Sequence, residues 1–269
     1  MAAERTIIST HSFRGGTGKS NLTANLAVLV ARAGHRVGII DTDIQSPGIH
    51  VLFNLPEMAQ RKSLNDYLWG KCRIQDAACD VTASAIGDFD PASSRPRLYL
   101  IPSSMDSNEI ARILTEGYDV TRLNDGIHEL MDADHLDLDY LFIDTHPGVN
   151  EETLLSIAVS HKLLLVMRPD NQDFQGTSVT VELARQLDVP AMHLVINKVP
   201  PGTDTIALRQ RVQDLYQTAV AGVLPLNAEI VRVASGGIFV NRFPDHPFAV
   251  ELRQIASRIF GTKQLQSAG

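Results

Sequence analysis

The stretch from Thr6 to Ser20 constrains this chain more than any other. An apolar run, Thr6 to Ser12, passes into Phe13-Arg14-Gly15-Gly16-Thr17-Gly18-Lys19-Ser20 and then into a helix-period segment, Ser20 to Ala33. Strand, glycine loop and helix in that order predict a buried strand that delivers a backbone cradle to a phosphate group. Three glycines in four positions let the loop curl with its N–H groups pointing inward. The following helix offers its N-terminal dipole to the same anion. The nucleotide-binding set predicted here is Gly15, Gly16, Thr17, Gly18, Lys19, Ser20 and Asn21. In it Lys19 reaches the β- and γ-phosphates and the Ser20 hydroxyl coordinates Mg²⁺.

The rest of the chain repeats the strand-then-helix alternation. Further strand-length apolar runs are Val37 to Ile40, Leu98 to Pro102, Tyr140 to Ile143, Leu163 to Met167, His193 to Ile196 and Ala221 to Leu224. Helix-period segments follow them: Ser107 to Thr115, Val120 to Met131, Glu151 to Ser160, Phe174 to Leu187, Thr205 to Tyr216 and Phe248 to Phe260. Continuous apolarity in the strands predicts a sheet covered on both faces. The expected fold class is therefore α/β, a doubly wound, mostly parallel sheet flanked by helices. Residues 56–96, broken by Pro56, Pro91 and Pro96, read as an excursion over the sheet edge with short helical pieces at Ser63 to Trp69 and Ile74 to Ala78. With 269 residues and 44% hydrophobic content, one domain spanning 1–269 is expected.

Met1 to Arg5 carries no apolar leader core, and no apolar run approaches membrane-spanning length, so a soluble, cytoplasmic protein is expected. Cys72 and Cys79 have neither redox-motif nor zinc spacing and read as reduced, packed thiols. A net charge of −7 argues against a surface that grips nucleic acid all round, while leaving room for a local basic patch.

Two apolar runs end in aspartate, at Gly38-Ile39-Ile40-Asp41-Thr42-Asp43 and at Tyr140-Leu141-Phe142-Ile143-Asp144. In a parallel sheet both endings fall at the carboxyl edge, where open α/β folds bind ligands. Asp144 reads as the carboxylate that holds Mg²⁺, and Pro147-Gly148 as a loop whose Gly148 N–H senses a γ-phosphate. A plain turn before Pro47 is the alternative reading of Asp43.

The ordinary phosphate-loop pattern wants glycine six residues before the lysine, where this chain has Phe13. The loop resembles instead the deviant Walker A motif of the ParA/MinD family of P-loop ATPases, with Arg14 standing at the family's signature lysine. The resemblance runs over nearly the whole chain. It implies an ATP- and Mg²⁺-dependent, slowly hydrolysing switch that closes into an ATP-sandwich homodimer and controls the positioning, partitioning or assembly of a cellular cargo. It assigns Lys19, Asp43 and Arg14 to catalysis, Arg14 across the dimer and Asp43 on the attacking water. It places Ser20, Asp43 and Asp144 at the metal, and Asn197 and Pro225 at the base and ribose. ATP is favoured over GTP because Pro200 stands where a guanine-reading aspartate would be.

An activating protein partner is implied. Non-specific DNA or a membrane is left open as the surface, with reversible residence on nucleoid or membrane, and no sequence-specific DNA-reading module is visible. The stripe Phe248, Leu252, Ile255 and Ile259 reads as docked on the core, and Gly261 to Gly269 lacks a Lys-rich amphipathic extension. Two alternatives stay open: a regulatory or assembly factor that binds ATP with little hydrolysis, and an ATP-dependent ligase on the same fold.

Overall fold

Alternation along each strand decides how the sheet is dressed. In β5 (Tyr140–Asp144), Tyr140 and Phe142 enter one apolar layer while Leu141 and Ile143 enter the opposite one. In β2 (Arg36–Asp41), Val37 and Ile39 face the first layer and Ile40 the second. Side chains in an extended strand point alternately to the two faces, so unbroken apolarity requires a helical cover on each.

A computed structural model describes residues 5–55, 61–87, 96–233 and 236–261. Its eight strands form one sheet in the order β3-β4-β2-β5-β1-β6-β7-β8, parallel except for β3. Besides β2 and β5 these are β1 (Thr6–His11), β3 (Cys79–Asp80), β4 (Arg97–Ile101), β6 (Lys162–Met167), β7 (Ala191–Val199) and β8 (Ala219–Pro225). The chain leaves β1 for one edge, returns through β5, and crosses to the other edge through β6. The loop after β1 thus opens near the reversal of strand order, where α/β sheets bind ligands.

One face is covered by α1 (Lys19–Arg32) and α12 (Pro247–Phe260), with α2 (Ile49–Leu52), α4 (Thr82–Ile86) and α11 (Phe239–Arg242) beside them. The expected stripe on α12 is core-docked: Phe248, Leu252, Ile255 and Ile259 are all buried. The other face carries α3 (Leu64–Leu68) and α6 (Val120–Met131), with α5 (Ser107–Glu116) docked through Ile113, over the β2–β5 half. Over the β6–β7 half lie α8 (Asn171–Gln186) and α9 (Thr205–Tyr216), with α7 (Glu151–Ala158) contributing Ile157. A short α10 (Ala228–Val233) follows β8.

Three departures from the sequence expectation have local causes. Residues 61–87 add an antiparallel edge strand, with Cys79 and Asp80 paired to Leu100 and Tyr99, as well as short helices; Pro56 and Pro91 lie outside the described residues. The helix expected from Phe174 begins at Asn171, because the Asp170 carboxylate accepts the Asp173 N–H and caps it. Strand β7 runs on past Ile196 to Val199 through a register shift against β8. Cys72 and Cys79 are free thiols, and among the described residues no helix is long and apolar enough to cross a membrane.

Packing of α12 on β8 depends on Gly222: a Cβ there would lie 2.3 Å from both Cγ1 and Cδ1 of Ile255. Gly222→Ala is expected to lower unfolding free energy by about 1–3 kcal/mol in urea titrations, as over-packed cores do. Adding Ile255→Val should recover part of that loss, whereas strictly additive losses would show that the contact is not the cause.

Candidate functional site

The glycine loop is shaped by contacts to the end of β7. Gly16 and Gly18 hold φ values of 74° and 97°, the left-handed region open to glycine. A Cβ on Gly18 would also meet Asn197 Nδ2 at 2.5 Å. That Nδ2 donates to the Thr17 carbonyl at 2.8 Å, and Lys198 Nζ donates to the Gly16 carbonyl at 2.7 Å. Lys19 follows as the first residue of α1 and is buried.

Residues 13 and 14 turn toward α8. The Phe13 ring fills the space that glycine leaves on this helix, since a Cβ on Gly176 would sit 2.1 Å from Phe13 Cδ1. The Arg14 guanidinium lies 3.6 Å from Asp170 and 3.5 Å from Asp173 of its own chain. Asp173 is also gripped by Arg168, whose Nε and Nη2 reach its two oxygens.

Parallel pairing puts Asp41 of β2 directly beside Asp144 of β5. Both are fully buried. Burial drives the Asp41 carboxyl well above its ordinary range, and the neighbouring Asp144 and Asp43 push it further, against N–H groups of Asp43 and Gly48 that its oxygens accept at 3.0 and 3.4 Å. Asp144 is raised by burial to about 6, opposed by the Lys19 charge and by hydrogen bonds from the Ser20 and Thr23 hydroxyls. Asp43 is raised by burial and drawn back by His146 and Lys19; its Oδ1 accepts the Ser46 N–H at 3.2 Å and lies 3.9 Å from His146 Nε2.

Beneath them His11 is lowered to about 3 by burial and then by the Lys19 charge, so it is neutral. Its Nδ1 shares a 2.8 Å hydrogen bond with Thr145 Oγ1, which also lies 3.1 Å from the Thr10 carbonyl.

The arrangement suits a small hard cation beside a phosphate. Crowded carboxylates and a serine hydroxyl are oxygen donors of the kind Mg²⁺ takes, and Thr17 Oγ1 is buried without a hydrogen-bond partner. Among the described residues no three His, Cys, Asp or Glu side chains are placed to hold a metal alone, so phosphate oxygens and waters would complete the shell.

Next to the loop lies a cavity of about 270 Å³. Four residues picked from the sequence, Gly18, Asn21, Asn197 and Pro225, line it together, with apolar walls from Leu22, Phe239, Phe248 and Leu252. Among the described residues no carboxylate lines it. Lys198 and Asn227, which the sequence reading passed over, line it as well; the Asn-Lys pair at the end of an apolar run was the available signal. Gly148, at φ 88°, gives its N–H to the Ser12 carbonyl at 3.2 Å.

Comparison with known proteins agrees with this geometry. Residues 8–239 match the CobQ/CobB/MinD/ParA nucleotide binding domain. The chain belongs to that family. An uncharacterised ATP-binding protein of Methanocaldococcus jannaschii is 25% identical, over 95% of this chain and 88% of its own. The septum site-determining protein MinD of Bacillus subtilis is also 25% identical, over 93% and 87% respectively. Among solved structures, the septum site-determining protein MinD of Pyrococcus horikoshii, complexed with Mg-ADP, superposes with a TM-score of 0.75, 21% identity and coverage of 95% of this chain and 96% of that one. The CobQ/CobB/MinD/ParA fold is thus present with its mostly parallel sheet.

The raised Asp144 carboxyl makes a test that needs no ligand. Its folded pKa of about 6 exceeds the ordinary 3.8, so keeping it charged opposes folding above pH 3.8, with the cost growing to pH 6 and constant beyond. Asp144→Asn is therefore expected to stabilise the nucleotide-free protein at pH 7.5 by up to about 3 kcal/mol. The gain should fade below pH 4 in parallel urea titrations. Equal stability of the two proteins at pH 7.5 would mean that Asp144 is not electrostatically strained.

Proposed function

We propose that this chain is a Mg²⁺-dependent ATPase working as a molecular switch. It binds ATP, pairs with a second copy around the nucleotide, and is released from a partner or surface by slow hydrolysis. The observation that carries the reading is the convergence of Lys19, Ser20, Asp41, Asp43 and Asp144 beside the glycine loop at the carboxyl edge of the sheet.

In this mechanism the loop N–H groups and Lys19 bind the phosphate oxygens, and the α1 dipole adds to their field. Asp144 and Ser20, with Asp43 nearby, would hold Mg²⁺, which neutralises charge developing on the phosphates. Asp43 orients the attacking water. Its turn is fixed by the Ser46 N–H and its carboxylate faces His146, so the acceptor is held in place. A cavity that no carboxylate lines among the described residues supports adenine over guanine, whose N1–H and amino group seek acceptors.

Arg14 gives the dimer its chemistry: a planar guanidinium suited to the partner nucleotide's phosphates. In the single chain it rests on Asp170 and Asp173, so closure exchanges those ion pairs for phosphate contacts. Gly148 makes a comparable exchange, since its N–H must leave the Ser12 carbonyl before it can meet a γ-phosphate. Two such exchanges support a two-state switch. By kinship with division-site and partition proteins, the cargo is one that must be positioned, partitioned or assembled, in the cytoplasm or reversibly on nucleoid or membrane, with a partner protein stimulating turnover.

Phosphate release from ATP should be measurable for the wild-type protein and fall at least about a hundredfold in Lys19→Ala and in Asp43→Ala. Wild-type release no faster than in these variants would remove the ATPase and leave ATP binding alone. Arg14→Ala should keep nucleotide affinity but lose ATP-dependent dimerisation by light scattering, whereas Asp170→Asn, which removes one of the two ion pairs that hold Arg14 in its own chain, should strengthen it. Equal dimerisation by all three proteins would dismiss the sandwich.

A further inference from the structure

The end of β7 is distorted in a way that sheet pairing does not require. Ile196 pairs with Val223 and Val199 with Pro225, so Asn197 and Lys198 together oppose the single residue Leu224. Bulges are rare in parallel pairs and tend to re-aim side chains beside active sites. Lys198 also sits at φ 57°, uncommon for a residue with a Cβ. Strain of this kind persists where surrounding contacts enforce it.

Two side-chain contacts tie the bulge to the phosphate loop. Asn197 Oδ1 accepts the Lys198 N–H at 2.8 Å, setting the amide so that Nδ2 reaches the Thr17 carbonyl. Lys198 then bends over the loop to place Nζ on the Gly16 carbonyl. Two successive loop carbonyls are thereby drawn toward β7. A peptide unit is planar, with its N–H opposite its C=O, so fixing those carbonyls also fixes the direction of the amides that follow at Thr17 and Gly18.

We infer that Lys198 is a positioning residue that holds the phosphate loop open for its anion before any nucleotide arrives. The inference rests on the nucleotide reading of the site. Its ammonium acts on the loop backbone beside the cavity that Lys198 helps line, and it contributes to affinity by preorganisation.

Lys198→Met keeps the stem and removes the donor. Lys198 is exposed, so the variant should fold with an unchanged urea midpoint. In the nucleotide-free protein, ¹⁵N order parameters at residues 16–18 should fall from about 0.85 to below about 0.6, while those of β7 hold. The dissociation constant for Mg-ADP should rise by about tenfold in calorimetry.

Unchanged order parameters at 16–18 would overturn the inference whatever happens to affinity, because Lys198 would then act on the ligand directly or not at all. A mobile loop with unchanged Mg-ADP affinity would overturn it as well. If the wild-type protein binds no Mg-ADP, the nucleotide reading fails, and the order parameters still decide whether Lys198 holds the loop.

Discussion

Asp41 and Asp144 stand shoulder to shoulder because β2 and β5 run parallel in a fixed register, and no side-chain rotation can separate two buried residues on adjacent strands. Strands are about 4.8 Å apart, so two carboxylates ending neighbouring strands at the same level feel each other strongly once water is excluded. Lys19 and the hydroxyls of Ser20 and Thr23 offset part of that repulsion. The remainder is a standing demand for positive charge at one point on the sheet edge. Fold and site are therefore linked: the topology that buries the core also concentrates the charge that a cation and a phosphate loop can satisfy.

Much of this was legible in the sequence because it rests on runs and spacings. The seven parallel strands showed as apolar runs, and their two-sided burial follows from unbroken apolarity. The loop and strand-end aspartates were legible because their chemistry is local to a few residues. What escaped depends on partners far along the chain. Two residues, Cys79 and Asp80, are too few to carry a period, and they become a strand only through pairing with β4. Asp170 escaped for a different, local reason: it stands with Arg168 and Pro169 after a strand, and nothing in the residue types alone says that its side chain closes the first turn of α8.

Directions were harder to read than identities. Arg14 was picked out by its position in the motif, yet nothing in the sequence says that its guanidinium lies against Asp170 and Asp173 of the same chain. Asn197 was selected as an amide suited to a base edge, and it does line the cavity, but one of its donors is already spent on the Thr17 carbonyl. Lys198 would pass for any solvated lysine after a strand. Only the bulge and the left-handed backbone reveal that it is bent back over the loop.

The seating of Phe13 against Gly176 has a mechanical consequence. A large ring at the mouth of the phosphate loop is lodged where α8 has no side chain, so loop and helix are meshed like a tooth in a gap. Residue 13 cannot shift without either lifting its ring out of that gap or carrying the helix along. On the same helix Val179 stands exposed, one turn beyond the gap. A movement that starts in the phosphate loop thus has a lever along α8 to the outer surface.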